Sequence, residues 1–207
     1  MKKFSSIEKT ANGKKRASVA FSSWKTLWFN TGTLCNIECE NCYIHSSPYN
    51  DDLVYISKNE VCIFLDELLQ KGERAEIGFT GGEPFMNPEI IPILQASLKR
   101  GFETLVLTNA MHPMQRKEIS EQLATLNKQY PKKLRLRVSI DSHDETHHDK
   151  ERGKGAWKKA MAGVKWIAEQ GIKLELAGRV ALCNNENEAT IRASYQKTFS
   201  KIGIDMD

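Results

Sequence analysis

Three of the chain's five cysteines, Cys35, Cys39 and Cys42, fall in one short stretch, Cys-Asn-Ile-Glu-Cys-Glu-Asn-Cys. Disulfide frameworks space their cysteines more widely and accompany a secretory context, so this cluster reads as metal binding in a reducing compartment, the cytoplasm by default. The spacing Cys-x3-Cys-x2-Cys lets one loop wrap three corners of an iron–sulfur cube, and thiolate is the ligand such iron prefers. A cube has four irons. Three cysteines leave one iron without a protein ligand, open to chelate a small molecule. A competing reading recruits His45 as a fourth ligand and closes a zinc site, which would make the chain a zinc-binding interaction module. A simple electron-transfer protein would instead want a fourth cysteine in reach. Cys62 and Cys183 each sit alone in a helix or strand pattern and read as core fillers.

Other residues suited to chemistry follow strand ends. Gly81-Gly82-Glu83-Pro84 offers two glycines where backbone can approach a ligand with no Cβ in the way, then a carboxylate that can pair with an ammonium. Asn109, in Thr108-Asn109-Ala110, can donate to a carboxylate or cap the following turn. Ser139 and Asp141 flank Ile140 and share a face by the period of two. Arg179 is a charge in an otherwise apolar run, and a buried arginine needs an anionic partner. His143, His147 and His148 permit a zinc site, but an ordered loop packing over the rim, running on to Arg152-Gly153-Lys154-Gly155, is the reading taken here.

The elements that must hold these residues alternate between short β-rich runs and amphipathic helices. Strands are predicted at Thr26 to Asn30, Glu76 to Thr80, Thr104 to Thr108, Leu134 to Ile140 and Leu174 to Leu182. Ser57 and Glu60 form a capping box ahead of the stripe Val61, Phe64, Leu65, Leu68 and Leu69. Asn87 and Pro88 should open the second helix, with Gly101 closing it; further helices are predicted around Met114 to Leu126, Ala156 to Glu169 and Glu188 to Ser200. Five βα units with Ile202 to Asp207 as the start of a sixth strand argue for an α/β fold, a partial (β/α) barrel with its chemistry at the strands' C-terminal ends.

At 40% hydrophobic residues the chain can bury a core, yet no run approaches the roughly 18 apolar residues of a membrane span. Residues 1–20 read as a flexible basic arm, with Lys2, Lys3, Lys14, Lys15 and Arg16 but no apolar stretch of a secretory signal; residues 21–207 read as one core domain. A net charge of +4, spread along the chain, is too small to argue for nucleic acid.

Cys-x3-Cys-x2-Cys directly after the first strand, with Gly-Gly-Glu-Pro after the second, resembles the radical S-adenosylmethionine (SAM) superfamily. The branch it is most similar to includes the molybdenum-cofactor cyclase and peptide- and cofactor-maturing enzymes. The likeness runs from about Leu27 to Leu182, adding Val138-Ser139-Ile140-Asp141 and the His147 to Gly155 stretch. It implies a [4Fe–4S] cluster on Cys35, Cys39 and Cys42. It also implies SAM bound through Gly81, Gly82 and Glu83 at the methionine amino group, Ser139 and Arg179 at the ribose or carboxylate, and the backbone near Tyr43 at the adenine. The implied activity is reductive cleavage of SAM to methionine and a 5′-deoxyadenosyl radical that abstracts hydrogen from a peptide or small-molecule substrate, oxidoreductase-like chemistry fed by an electron donor such as flavodoxin or ferredoxin. In one departure, Asn41 stands before the third cysteine where many members carry an aromatic residue. The family's pattern also predicts a completed sixth strand and helix, so the 207 residues are expected to be a C-terminally incomplete core.

Overall fold

A computed structural model describes residues 5–179 and 187–205. Among the described residues five parallel strands, β1 (Thr26–Asn30), β2 (Glu76–Thr80), β3 (Thr104–Thr108), β4 (Leu134–Ser139) and β5 (Lys173–Ala177), lie in sequence order with β1 and β5 as the outer two. Helices fill the connections, so the fold is the partial barrel expected. Strand alternation divides the sheet. Phe29, Ile77, Phe79, Val106, Leu134, Leu136 and Val138 enter the core beneath the helices, while Trp28, Gly78, Arg135, Arg137 and Glu175 occupy the opposite, concave face.

Helix α1 (Lys58–Gln70) begins at the predicted capping box, with Ser57 Oγ accepting from Glu60 N and the Glu60 carboxylate accepting from Ser57 N. It buries Val61, Leu65 and Leu68, each contributing roughly 1.5–3 kcal/mol. Phe64 stays half-exposed but sets its ring edge-on to Phe29 at 5.8 Å. Helix α2 (Ile90–Lys99) starts later than Asn87 and Pro88 implied. The preceding residues Pro84–Met86 form a 3-10 turn, and Asn87 acts as a brace, donating to Ile56 O and accepting from Glu89 N.

The helix expected around Met114 to Leu126 divides into α3 (His112–Gln115) and α4 (Lys117–Gln129). Arg116 breaks it with extended ψ while its guanidinium donates to Phe85 O at 2.6 Å. The stretch read as a loop over the rim is a helix, α5 (Glu145–Arg152), capped by Asp144 accepting from His147 N. Its buried side chains are His148 and Glu151, so no apolar stripe announced it.

Helix α6 (Ala156–Glu169) and helix α7 (Glu188–Ser200) match the bounds predicted. Tyr195 of α7 reaches over β4, its hydroxyl donating to Ile140 O at 2.8 Å. Strands β4 and β5 stop earlier than expected, at Ser139 and Ala177; residues 180–182 of the predicted fifth strand, with Cys183, lie outside the described residues. Residues 201–203 turn after α7 and Ile204 joins the core rather than a sixth strand; Met206 and Asp207 lie outside the described residues. Cys62 is half-buried beside Arg100, outside the core it was expected to fill.

Candidate functional site

The cysteine loop is mounted on the ends of β1 and β2. Thr31 Oγ1 donates to Thr80 O, Gly82 N donates to Gly32 O at 2.8 Å, and Glu83 N donates to Leu34 O at 3.0 Å. The loop's own base closes where Cys35 N donates to Ser47 O. This explains the paired glycines differently from the sequence. The backbone they admit is the chain's own: a Cβ on Gly81 would lie 2.6 Å from Gly32 O, and one on Gly82 would lie 2.1 Å from Leu34 O.

A cleft of about 300 Å³ opens above the strands' C-terminal ends. Cys35, Cys39, Cys42, Tyr43, Gly81, Gly82, Asn109, Ser139, Asp141 and Arg179 all line it. Among the candidates implied for cluster and SAM, Glu83 alone stands behind the wall. Its carboxylate is 2% exposed and accepts from Thr108 Oγ1 at 2.8 Å, Asn109 N at 2.8 Å and Phe85 N at 3.2 Å. With its oxygens so engaged, Glu83 ties the end of β2 to the end of β3 and offers the cleft only the backbone before it.

Asn109 turns toward the cysteine loop. Its amide donates to Asn36 Oδ1 at 2.9 Å and approaches Cys35 Sγ at 3.9 Å, while its oxygen accepts from Met111 N. Arg179 is committed likewise, lying 3.2 Å from Asp141 and 3.2 Å from Glu151 and donating to Asn41 O. The alternative of a structural salt bridge therefore describes its present contacts.

Three participants were not singled out from the sequence as site residues. Arg152 lines the cleft and is held by Asp141 through Nε at 2.6 Å and Nη2 at 3.3 Å. Glu151, 3% exposed, accepts from Asn41 Nδ2 at 2.8 Å. Asn41, in the position that departs from the family pattern, thus fastens the cysteine loop to α5 in place of aromatic packing. Only the charge within Arg152-Gly153 hinted at any of this. If this latch positions the loop, Glu151→Ala should quicken cluster loss to a chelator several-fold, and Glu151→Gln, which keeps an acceptor, should restore most of it. Unchanged loss in Glu151→Ala would exclude the latch.

Two of the three cysteines sit where burial works against a free thiolate. Burial pushes the Cys35 thiol up to about 12 and raises Cys39, and the Arg152 guanidinium opposes both shifts. Thiolates in so dry a place need the charge of bound iron, and binding must release protons. Ser46 Oγ, buried at the cleft with no hydrogen-bond partner, is a further polar atom fitted to a ligand. Among the described residues no three His, Cys, Asp or Glu side chains gather as they would around one ion. His45 is exposed and does not line the cleft. The other imidazoles take separate partners: His148 Nδ1 accepts from Asp141 N, His147 meets Asp144, and His143 packs on Tyr195.

Glu83 and His148 give the metal-free chain opposing pH responses. Burial raises Glu83 from 4.5 to about 7, so between those values the folded chain holds an extra proton and stability rises as pH falls. Burial lowers His148 from 6.5 to about 4, so between those values the unfolded chain holds the extra proton and stability falls as pH falls. The slopes oppose between pH 4.5 and 6.5. Thermal melts of Glu83→Gln should therefore lose stability on acidification across that window more steeply than wild type; parallel profiles would contradict the assignment.

The sequence model of the Radical SAM superfamily matches residues 29–197. Among curated proteins, the antilisterial bacteriocin subtilosin biosynthesis protein AlbA of Bacillus subtilis is 34% identical over 145 residues, which is 69% of this chain and 30% of AlbA. GTP 3′,8-cyclase of Microcystis aeruginosa is 28% identical over 180 residues, 81% of this chain and 50% of the cyclase. The chain thus spans half or less of these relatives. Among solved structures, Streptococcus suis SuiB bound to S-adenosylmethionine shares the fold with a TM-score of 0.69 at 17% identity, over 89% of this chain and 40% of SuiB. The chain belongs to the radical SAM superfamily, whose cofactors are a [4Fe–4S] cluster and S-adenosylmethionine.

Proposed function

We propose that this chain is the catalytic core of an enzyme that cleaves SAM reductively and matures a peptide, with Cys35, Cys39 and Cys42 holding the cluster. The observation that carries this reading is the arrangement of the three cysteines along one rim of a cleft whose other walls are Gly81, Gly82, Ser139 and Asp141. When bound, the cluster supplies the electron that splits SAM into methionine and a 5′-deoxyadenosyl radical able to take hydrogen from substrate. The chain's residues orient and shield. The Gly81 and Gly82 backbone would face the methionine end of bound SAM, Tyr43 would stand beside its adenine, and Ser139 would face its ribose or carboxylate. Arg152, held by Asp141, keeps positive charge beside the thiolates.

A peptide substrate is favoured by the relatives: AlbA serves bacteriocin biosynthesis, SkfB of Bacillus subtilis is a sporulation killing factor maturation protein, and SuiB has been crystallised with precursor peptide SuiA. Residues 21–207 form the core in this reading, residues 1–20 a basic arm, and a flavodoxin or ferredoxin the electron source in the cytoplasm. Among the described residues no helix is long and apolar enough to cross a membrane.

The test is an anaerobic assay of the reconstituted chain with dithionite and SAM. It should yield 5′-deoxyadenosine and methionine in equal amounts, and no product from any variant lacking Cys35, Cys39 or Cys42. A cluster-loaded chain that binds SAM yet never cleaves it would refute the reading.

A further inference from the structure

The turn at the end of β3 is braced from several directions. Asn109 N donates to the buried Glu83 carboxylate at 2.8 Å, and Ala110 N donates to Thr108 Oγ1 at 2.9 Å. Ala110 stands in left-handed backbone, φ 55°, and its carbonyl accepts from Gln115 Nε2 at 2.7 Å. Helix α6 presses on the same carbonyl: a Cβ on Gly163 would lie 1.9 Å from Ala110 O. So braced, and 4% exposed, Asn109 has little freedom to turn its side chain away.

Its hydrogen bonds also fix which way round the amide sits. Asn109 Oδ1 accepts from Met111 N at 3.0 Å, so the opposite end carries the two N–H groups. One donates to Asn36 Oδ1 at 2.9 Å, and the other is directed at Cys35 Sγ, 3.9 Å away.

Cys35 is the sulfur for which a donor counts most. It is 5% exposed, whereas Cys39 and Cys42 are half-buried, so water has little access to it. A hydrogen bond in so dry a place is stronger than one in water. The free thiol can direct its own proton toward Asn36 Oδ1, 4.0 Å away. A metal-bound thiolate has no proton and can only accept. Two N–H groups then serve it, from the Ile37 backbone and from the Asn109 side chain. The first comes with the cysteine loop itself; the second is brought by a residue 74 positions along the chain. An N–H on a ligating sulfur withdraws electron density from iron and favours the state that carries the extra electron.

We infer that Asn109 is a positioning residue acting through Cys35, and that its amide N–H holds the reduction potential of the cluster above the value the cysteine loop alone would give. This goes beyond the function proposed above and rests on its reading of Cys35 as a cluster ligand. A raised potential lets a modest donor such as a flavodoxin supply the electron, and it leaves less driving force for splitting SAM.

The test is a redox titration followed by electron paramagnetic resonance, on the anaerobically reconstituted 207-residue chain without SAM, after iron and sulfide have been counted. Asn109→Leu keeps a branched, neutral side chain but has no N–H. Its reduction equilibrium should move about tenfold toward the oxidised form, the loss of one hydrogen bond to a charged sulfur, which for one electron is a potential lower by about 59 mV. Asn36→Leu breaks the same Asn109–Asn36 bond but leaves the N–H on the sulfur, so its potential should not fall. A turn with only a structural role would shift both variants alike or neither. An Asn109→Leu potential equal to or above that of wild type, or an Asn36→Leu potential lowered as far, would overturn the inference. Wild-type chain isotopically labelled at the asparagine side-chain nitrogens decides the matter even where a variant loads no cluster. Pulsed resonance of its reduced form should show a labelled nitrogen coupled to the cluster spin, and no such coupling would overturn the inference. About four irons per chain with an unshifted Asn109→Leu potential would sink this inference alone, whereas a wild type that assembles no cluster would sink the cysteine reading along with it.

Discussion

Gly82→Ala should abolish cluster assembly while leaving most of the helices formed. The added Cβ would lie 2.1 Å from Leu34 O and 2.6 Å from Thr33 O, both backbone atoms, so no flexible side chain can swing aside. Relief must come from withdrawing residues 31–34, which lead into Cys35, and the bonds from Gly82 N to Gly32 O and from Glu83 N to Leu34 O would go with them. The core lies on the far side of the sheet, so the damage should stay local. Iron bound after anaerobic reconstitution should fall from about four per chain to a small residue, with far-ultraviolet circular dichroism close to wild type. A full iron load in Gly82→Ala would show that the loop can be seated without this close approach.

Asp141→Ala should be the most destabilising single change at the site. Arg152 is 9% exposed and depends on Asp141, itself 2% exposed, for its paired hydrogen bonds; Arg179 draws on the same carboxylate. Removing one partner of a buried ion pair leaves the other charge dry and alone, a loss of roughly 3–5 kcal/mol. For a domain of this length each kcal/mol moves the melting temperature by about 2–4 °C, so a drop on the order of 10 °C is expected for the metal-free chain. Asp141→Asn keeps an acceptor and should lose less. An Asp141→Ala melt within a degree or two of wild type would mean that Arg152 finds compensation elsewhere.

The sheet was legible because its strands are short β-branched and aromatic runs bounded by turn residues; β1, β2 and β3 begin and end where the pattern says. Hydrophobic periodicity also located α1, α6 and α7. It failed at α5, whose buried side of His148 and Glu151 is polar and serves the site rather than the core. It failed again at Arg116, where one residue leaves helical geometry to bond Phe85 O across the chain.

The site shows the same division. Apart from Glu83, the candidates that motif spacing picked out for cluster and SAM line one cleft, because cysteine spacing and strand ends are local properties. The role of each depended on contacts far apart in sequence. Glu83 looked like a ligand for an ammonium but is taken by Thr108 and Asn109 at the end of the next strand. Gly82 lines the cleft as the motif implies, but its missing Cβ also makes room for the Leu34 carbonyl. Asn41 looked like a lost aromatic contact, and its replacement lies 110 positions along the chain at Glu151. Nothing within a short window encodes such pairs.

The account turns on three thiolates and one open iron, and metal analysis after anaerobic reconstitution tests it most directly. Iron, acid-labile sulfide and zinc should be measured together on wild type and on the Cys35→Ala, Cys39→Ala, Cys42→Ala and Cys62→Ala variants. The account predicts about four irons and four sulfides per chain for wild type and Cys62→Ala, and loss of both from each of the other three. One tightly held zinc per chain with no sulfide, weakened by substitution of His45, would contradict it.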